Sequence, residues 1–151
     1  MKNHAELARN NFLKGYNCAQ AVAIAFSEEM GMSETELAKL ASSFGGGMGK
    51  MREVCGAVSG ALLVYGALRG NSDPEDGEAK KQHYANVRDF ADRFKAEHET
   101  IICRELLHNI GLKKNIGGDP EERTPEYYRT RPCARFVETA ARILEDMLAE
   151  E

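Results

Sequence analysis

The sequence predicts an all-α, single-domain bundle of about five helices spanning residues 1–151, built around a central apolar, Gly-rich helix. Three observations carry this expectation. Apolar residues recur at spacings of three and four along most of the chain, while the two-residue alternation of a half-buried strand is nearly absent. Helix start and stop residues fall between these periodic runs. With 151 residues, 42% hydrophobic and 29% charged, the chain has the balance of one globular domain able to bury a core.

The first helix is expected over residues 5–30. Its apolar positions Leu7, Phe12, Tyr16, Ala19, Val22, Ala23 and Phe26 follow helical spacing apart from one five-residue step, and Gly31 ends it. The second begins after Ser33, where Ser33-Glu34-Thr35-Glu36 fits a capping box. It carries Leu37, Leu40 and Ala41 and stops at Gly45-Gly46-Gly47-Met48-Gly49, a cluster too flexible for a helix interior. The third, over 54–68, is apolar nearly all round and so is expected at the centre. Gly56 and Gly60 lie on one of its faces with Ser59 beside them. Small residues there admit a close helix crossing, a second copy of the chain in a homodimer, or a bound group, which makes Gly56 and Gly60 candidate cofactor-binding positions.

Asp73-Pro74 is expected to open the fourth helix, with Asp73 as cap and Pro74 in the first turn. That helix runs through Val87, Phe90, Ala91 and Phe94, kinks or restarts near Thr100, and closes at Gly111. Residues 113–131 read as the longest irregular stretch, punctuated by Gly117-Gly118, Asp119-Pro120 and Thr124-Pro125. Pro132 opens the last helix, which carries Cys133, Phe136, Val137, Ala140, Ile143, Leu144 and Met147.

Composition narrows the function classes. A net charge of −4 without a basic stripe argues against a nucleic-acid partner. The longest apolar stretch, 54–68, falls short of the ~20 residues needed to span a bilayer. Residues 1–6 lack the apolar run of a secretory signal. The expectation is therefore a cytoplasmic protein without a membrane span, where cysteines are more often catalytic or metal-binding than structural staples. The glycine cluster fails as a phosphate-binding P-loop, since Phe44 and Met51 stand where Gly and Ser or Thr are required. A tight helix connection is favoured over a weak anion site on the amides of the next helix. His4, His83, His98 and His108 are scattered, with His83 and His98 expected on a solvated face.

The chemistry-bearing set is Cys18, Cys55, Cys103 and Cys133. No two stand at Cys-x-x-Cys spacing, so zinc-ribbon, thioredoxin-like, ferredoxin and haem-attachment signatures are all absent. Each falls on the apolar face of its own predicted helix. If the four converge, they can form two disulfides, a dithiol with resolving partners, or a four-thiolate zinc or iron–sulfur site. If they do not, they are small core hydrophobes of a non-catalytic, partner-binding bundle. Cys55 follows Lys50 and Arg52 in the first turn of its helix, and Cys133 follows Pro132 among Arg129, Arg131 and Arg135. A helix N-terminus and nearby cations lower a thiol pKa, so these two are the candidate reactive thiols. Cys18 and Cys103 are expected mid-helix, as resolving partners.

Cys55-Gly56-Ala57-Val58-Ser59-Gly60 matches the pattern Cys-Gly-Ala-x-x-Gly. With Gly15-Tyr16-Asn17-Cys18-Ala19-Gln20-Ala21 before it, Cys103 and Cys133 after it, and Phe44-Gly45-Gly46-Gly47-Met48-Gly49 as lead-in, the chain resembles the C_GCAxxG_C_C family of redox-active proteins over about residues 7–148. The resemblance implies a helical domain with a functional cysteine set. Some relatives are similar to multihaem split-Soret cytochromes, but this chain lacks their haem-attachment motif, so that activity does not carry over. On this reading Cys55 is the primary thiolate, with Cys18, Cys103 and Cys133 as partners and an unidentified redox partner protein. The expected pairing, one of three connectivities, is Cys18 with Cys55 and Cys103 with Cys133. As an enzyme it would be a thiol–disulfide oxidoreductase; the metal-binding and inert-core alternatives stand beside it.

Overall fold

The computed structural model describes residues 2–111 and 116–150. The predicted all-α class holds, but among the described residues about five helices become nine: α1 His4–Leu13, α2 Cys18–Ala25, α3 Ser27–Met30, α4 Glu34–Ala41, α5 Gly56–Arg69, α6 Gly77–His98, α7 Cys103–Asn109, α8 Pro125–Thr130 and α9 Cys133–Glu150. A 3-10 turn, Ser42–Phe44, follows α4. No strand occurs among these residues; one isolated antiparallel bridge pairs Val54 with Ile102.

Each extra break has a local cause. The first predicted helix is interrupted after Leu13, where Gly15 takes φ +111° and Asn17 caps a new helix. The Asn17 side chain accepts from Gln20 N–H at 2.9 Å while Gln20 Oε1 accepts from Asn17 N–H at 3.0 Å, a complete capping box. At Ser33 only half of the expected box forms: its hydroxyl accepts from Glu36 N–H and donates to the Glu36 carboxylate. The long fourth helix starts later, capped by Asp76 rather than Asp73, and stops where Glu99 turns left-handed at φ +74°. The restart expected near Thr100 is α7. Within the stretch read as irregular, Thr124 caps α8 and Pro125 occupies its first position. Residues 112–115 of that stretch lie outside the described residues.

Helices α1, α2, α5 and α9 form the core. α1 packs along α9 and α2, α2 on α5 and α9, and α5 on α9, with α6 laid against α9 and α4 against α2. α5 is central as expected, yet it shares that place with α2, where Ala19 and residues 21–25 are all buried. On α5 Ala57, Val58, Ala61, Val64 and Tyr65 are buried, whereas Leu62 and Leu63 are half-buried and Ala67 is exposed. Phe12, Phe26, Phe90, Phe94, Val137 and Leu144 fill the rest.

His83 and His98 depart from the solvated face expected of them, and His83 is half-buried with its ring stacked on Tyr65, centroids 5.4 Å apart. His4 is buried against Phe26, ring centroids 4.1 Å apart, with Nδ1 2.6 Å from Glu145 and Nε2 2.9 Å from Glu29. It ties α1 to α3 and α9. His98 is not solvated: its Nε2 lies 2.9 Å from the Thr139 hydroxyl, and burial pushes its pKa down. No helix among the described residues is long and apolar enough to cross a membrane.

Gly56 and Gly60 both lie at the α2–α5 crossing. A Cβ on Gly60 would stand 2.5 Å from the Ala19 carbonyl oxygen and 2.9 Å from its Cα. Gly60→Ala is therefore expected to cost about 1–3 kcal/mol through overpacking. Gly66, in the same helix with nothing within 4 Å of its Cβ position, should behave oppositely. Gly66→Ala should gain roughly 0.5–1 kcal/mol from helix propensity. Urea unfolding of both variants checks the opposed signs.

Candidate functional site

All four cysteines begin helices. Cys18, Cys103 and Cys133 are the first residues of α2, α7 and α9, and Cys55 is the N-cap residue of α5. This corrects the mid-helix positions expected for Cys18 and Cys103, because the capping box at Asn17 and the left-handed Glu99 restart the chain just before each. The four side chains line one cavity of about 60 Å³, together with Gly46, Gly47, Arg52, Gly56, Arg123, Tyr127 and Phe136.

Backbone pairing sets this convergence. Cys55 N–H donates to the Ile101 carbonyl at 2.7 Å and Cys103 N–H to the Glu53 carbonyl at 2.6 Å, on either side of the Val54–Ile102 bridge. The entries to α5 and α7 thus run side by side. Arg123 fixes the α1–α2 turn, donating to the Phe12 carbonyl at 3.2 Å and the Tyr16 carbonyl at 3.1 Å while its guanidinium lies over the Phe12 and Tyr127 rings.

Glycine permits the closest approaches. A Cβ on Gly47 would meet the Cys103 Cβ at 2.8 Å and Glu53 N at 2.7 Å; one on Gly56 would meet the Phe44 carbonyl at 2.8 Å and the Cys18 Cβ at 3.3 Å. Gly46, Gly47, Met48, Gly49, Lys50 and Arg52 all take φ between +54° and +71°. L-residues visit this region singly and at a cost of roughly 1–2 kcal/mol each, so Met48, Lys50 and Arg52 hold the segment under strain. The loop is the tight connection its sequence suggests. Within it the N–H groups of Met48, Gly49, Lys50, Arg52 and Glu53 donate to carbonyls of Ser43, Phe44, Gly45, Gly46 and Gly47.

The electrostatics separate the four thiols. The Cys18 and Cys133 thiols both line this cavity, and their mutual interaction is the largest influence on each. With the charges of Arg131, Arg52 and Arg123 it outweighs burial at Cys133 and lowers the pKa to about 7. The same interaction and burial hold the Cys18 pKa well above the ordinary thiol range. Burial pushes the Cys55 pKa up to about 12. Arg52, expected beside Cys55, instead donates to Cys103 Sγ at 3.7 Å, which works against the rise that burial imposes on Cys103. Glu121 ties Arg52, at 3.2 Å, to Arg131.

The two thiols that influence each other most are Cys18 and Cys133. Among the described residues no three Cys, His, Asp or Glu side chains are grouped closely enough to ligate one metal ion. The sequence reading missed Glu121 and Arg123, whose contacts span 69 residues (Glu121 to Arg52) and 111 residues (Arg123 to Phe12) and carry no local signature. It also missed the Asn17-x-x-Gln20 box, whose pattern was there to be read.

A family model described as "Putative redox-active protein (C_GCAxxG_C_C)" matches residues 16–147. No curated protein and no solved structure gives a significant match.

Gly47→Ala should open the junction between Cys55 and Cys103. It combines a backbone clash with φ +71°, whereas Gly49 has φ +54° and open space. Gly49→Ala should cost about 1 kcal/mol and Gly47→Ala ~1–3 kcal/mol more. Mass-spectrometric alkylation of the native variants should then find Cys55 labelled faster in Gly47→Ala alone.

Proposed function

The chain belongs to the C_GCAxxG_C_C family, and on that premise we propose that Cys18 and Cys133 form a two-electron dithiol/disulfide couple, with Cys133 as the reacting thiolate. The observation that carries this reading is one cavity lined by every cysteine of the chain, in which Cys18 and Cys133 influence each other's ionisation more than any other group does.

The thiolate is the nucleophile in sulfur exchange, and it works best when its pKa lies near ambient pH. Cys133, lowered to about 7, is the cysteine in that range. It also opens an 18-residue helix whose N-terminal partial charge favours the anion. When Cys133 sulfur becomes electrophilic, in a mixed disulfide or a sulfenic acid, Cys18 is already its neighbour. Cys18 then loses its proton, its sulfur attacks Cys133, the S–S bond forms, and the group on Cys133 leaves with the electron pair. Cys103 and Cys55, in the same cavity wall, are supporting thiols on this reading, with Cys103 polarised by Arg52.

The test is the pH profile of iodoacetamide labelling on the reduced protein. Cys133 should be modified with a midpoint near pH 7, where an unshifted thiol of pKa ~8.5 is only a few per cent ionised. Cys133→Ser should remove that phase. Cys18→Ala, which removes the neighbouring thiol, should move the midpoint upward, and Cys55→Ser should leave it in place. Diamide oxidation followed by peptide mapping should give a Cys18–Cys133 disulfide. A neutral-pH phase belonging to Cys55, or a disulfide that omits Cys133, would overturn the assignment.

A further inference from the structure

The thiol cavity adjoins a larger cleft. The cleft holds about 330 Å³ and is bordered by Asn17, Lys50, Pro120 and Glu121. Gly46, Arg52, Arg123 and Tyr127 line both the cleft and the cavity of about 60 Å³ behind it. These four residues form the wall that the two spaces share.

We propose that the oxidant of the Cys18–Cys133 couple is a small hydroperoxide, hydrogen peroxide above all, which passes this wall from the cleft into the thiol cavity. The proposal rests on the dithiol reading and adds to it the class of co-substrate.

Access is the first argument. A cavity of about 60 Å³ has room for a hydroperoxide group beside the sulfurs, since one water-sized group needs only ~10–15 Å³ of such space. A disulfide substrate must bring a sulfur with its carbon substituents up to Cys133, and Cys133 is only 9% exposed. Charge is the second argument. Attack on a peroxide expels hydroxide, and the guanidinium groups of Arg52 and Arg123 line the space where it forms. Such preformed cations stabilise developing negative charge without reorganisation.

The reaction balances with two water molecules as the only other products. The Cys133 thiolate attacks one peroxide oxygen; an S–O bond forms and the O–O bond breaks. The leaving hydroxide takes a proton from solvent, equivalent to the one Cys133 released on ionising, and becomes water. Cys133 is now a sulfenic acid. Cys18 sulfur attacks it, the S–S bond forms, the S–O bond breaks, and the Cys18 proton leaves with the hydroxyl as a second water. Two thiols are oxidised and one hydroperoxide is reduced.

The full-length reduced protein is mixed separately with hydrogen peroxide, cumene hydroperoxide and glutathione disulfide, and formation of the Cys18–Cys133 disulfide is followed by mass spectrometry. Hydrogen peroxide should react at least about tenfold faster than cumene hydroperoxide, and the disulfide slowest of the three. Cys18→Ala should hold Cys133 as a sulfenic acid, read as one added oxygen on Cys133 by mass spectrometry after acid quench. Equal rates for the bulky and small oxidants, or no added oxygen on Cys133, would overturn the proposal. If diamide links Cys18 to Cys133 while hydrogen peroxide oxidises them no faster than free cysteine, the hydroperoxide assignment fails and the dithiol couple stands. If no oxidant joins the two, both fail.

Discussion

The close crossing of α2 and α5 is the constraint on which the thiol cavity depends. Ala19 backbone lies against Gly60 and Gly56 with no room for a Cβ, and Gly45 stands equally close to the Asn17 side chain. These contacts bring the N-terminal ends of α2 and α5 together and, with them, Cys18 and Cys55. Helices packed on ordinary side chains stand about 8–10 Å apart, and glycine at the contact brings them closer. The Val54–Ile102 bridge then draws in α7, and α9 closes the fourth side with Cys133. Four helix starts face one small volume because two elements cross tightly.

Helix N-termini have partial positive charge and unsatisfied N–H groups, so gathering them makes a volume in which an anion is tolerated. Arg52, Arg123 and Arg131 add full charges, and Glu121 holds two of these cations in position. Desolvation works against the thiolate at every cysteine, which is why only the residue with both a thiol and several guanidinium groups beside it falls below the ordinary range. The strained left-handed segment fits the same logic. It places Arg52, nearly fully buried, between Cys103 and Glu121, and backbone strain of this kind persists where the surrounding structure enforces it.

The sequence disclosed the helical class, the apolar faces and the four cysteines, because periodicity and residue type are local properties. It did not disclose which cysteine would ionise. Cys55 has basic neighbours in the chain, Lys50 and Arg52, but the left-handed turn at Arg52 sends that side chain to Cys103 instead. Burial then leaves Cys55 protonated. The fragmentation of the first predicted helix was legible in Asn17 and Gln20, but continuous apolar spacing across the break concealed it. Thr124-Pro125 could likewise be read either as a turn or as the start of a helix, and α8 resolves it. Glu121 and Arg123 act through contacts remote in sequence, which no local pattern encodes.

The setting of Cys133 beside Cys18 and the three guanidinium groups has a thermodynamic consequence for the couple proposed above. It stabilises a thiolate, and a thiolate exists only in the reduced protein. Every interaction that keeps Cys133 ionised therefore favours the dithiol over the disulfide and makes the couple a stronger oxidant, with each 30 mV of reduction potential equivalent to about 1.4 kcal/mol. Above the Cys133 pKa, reduction also takes up one proton fewer, so the potential becomes less sensitive to pH near neutrality. The setting of one sulfur thus determines both how readily the site gives its disulfide back and how strongly that tendency follows the acidity of its surroundings.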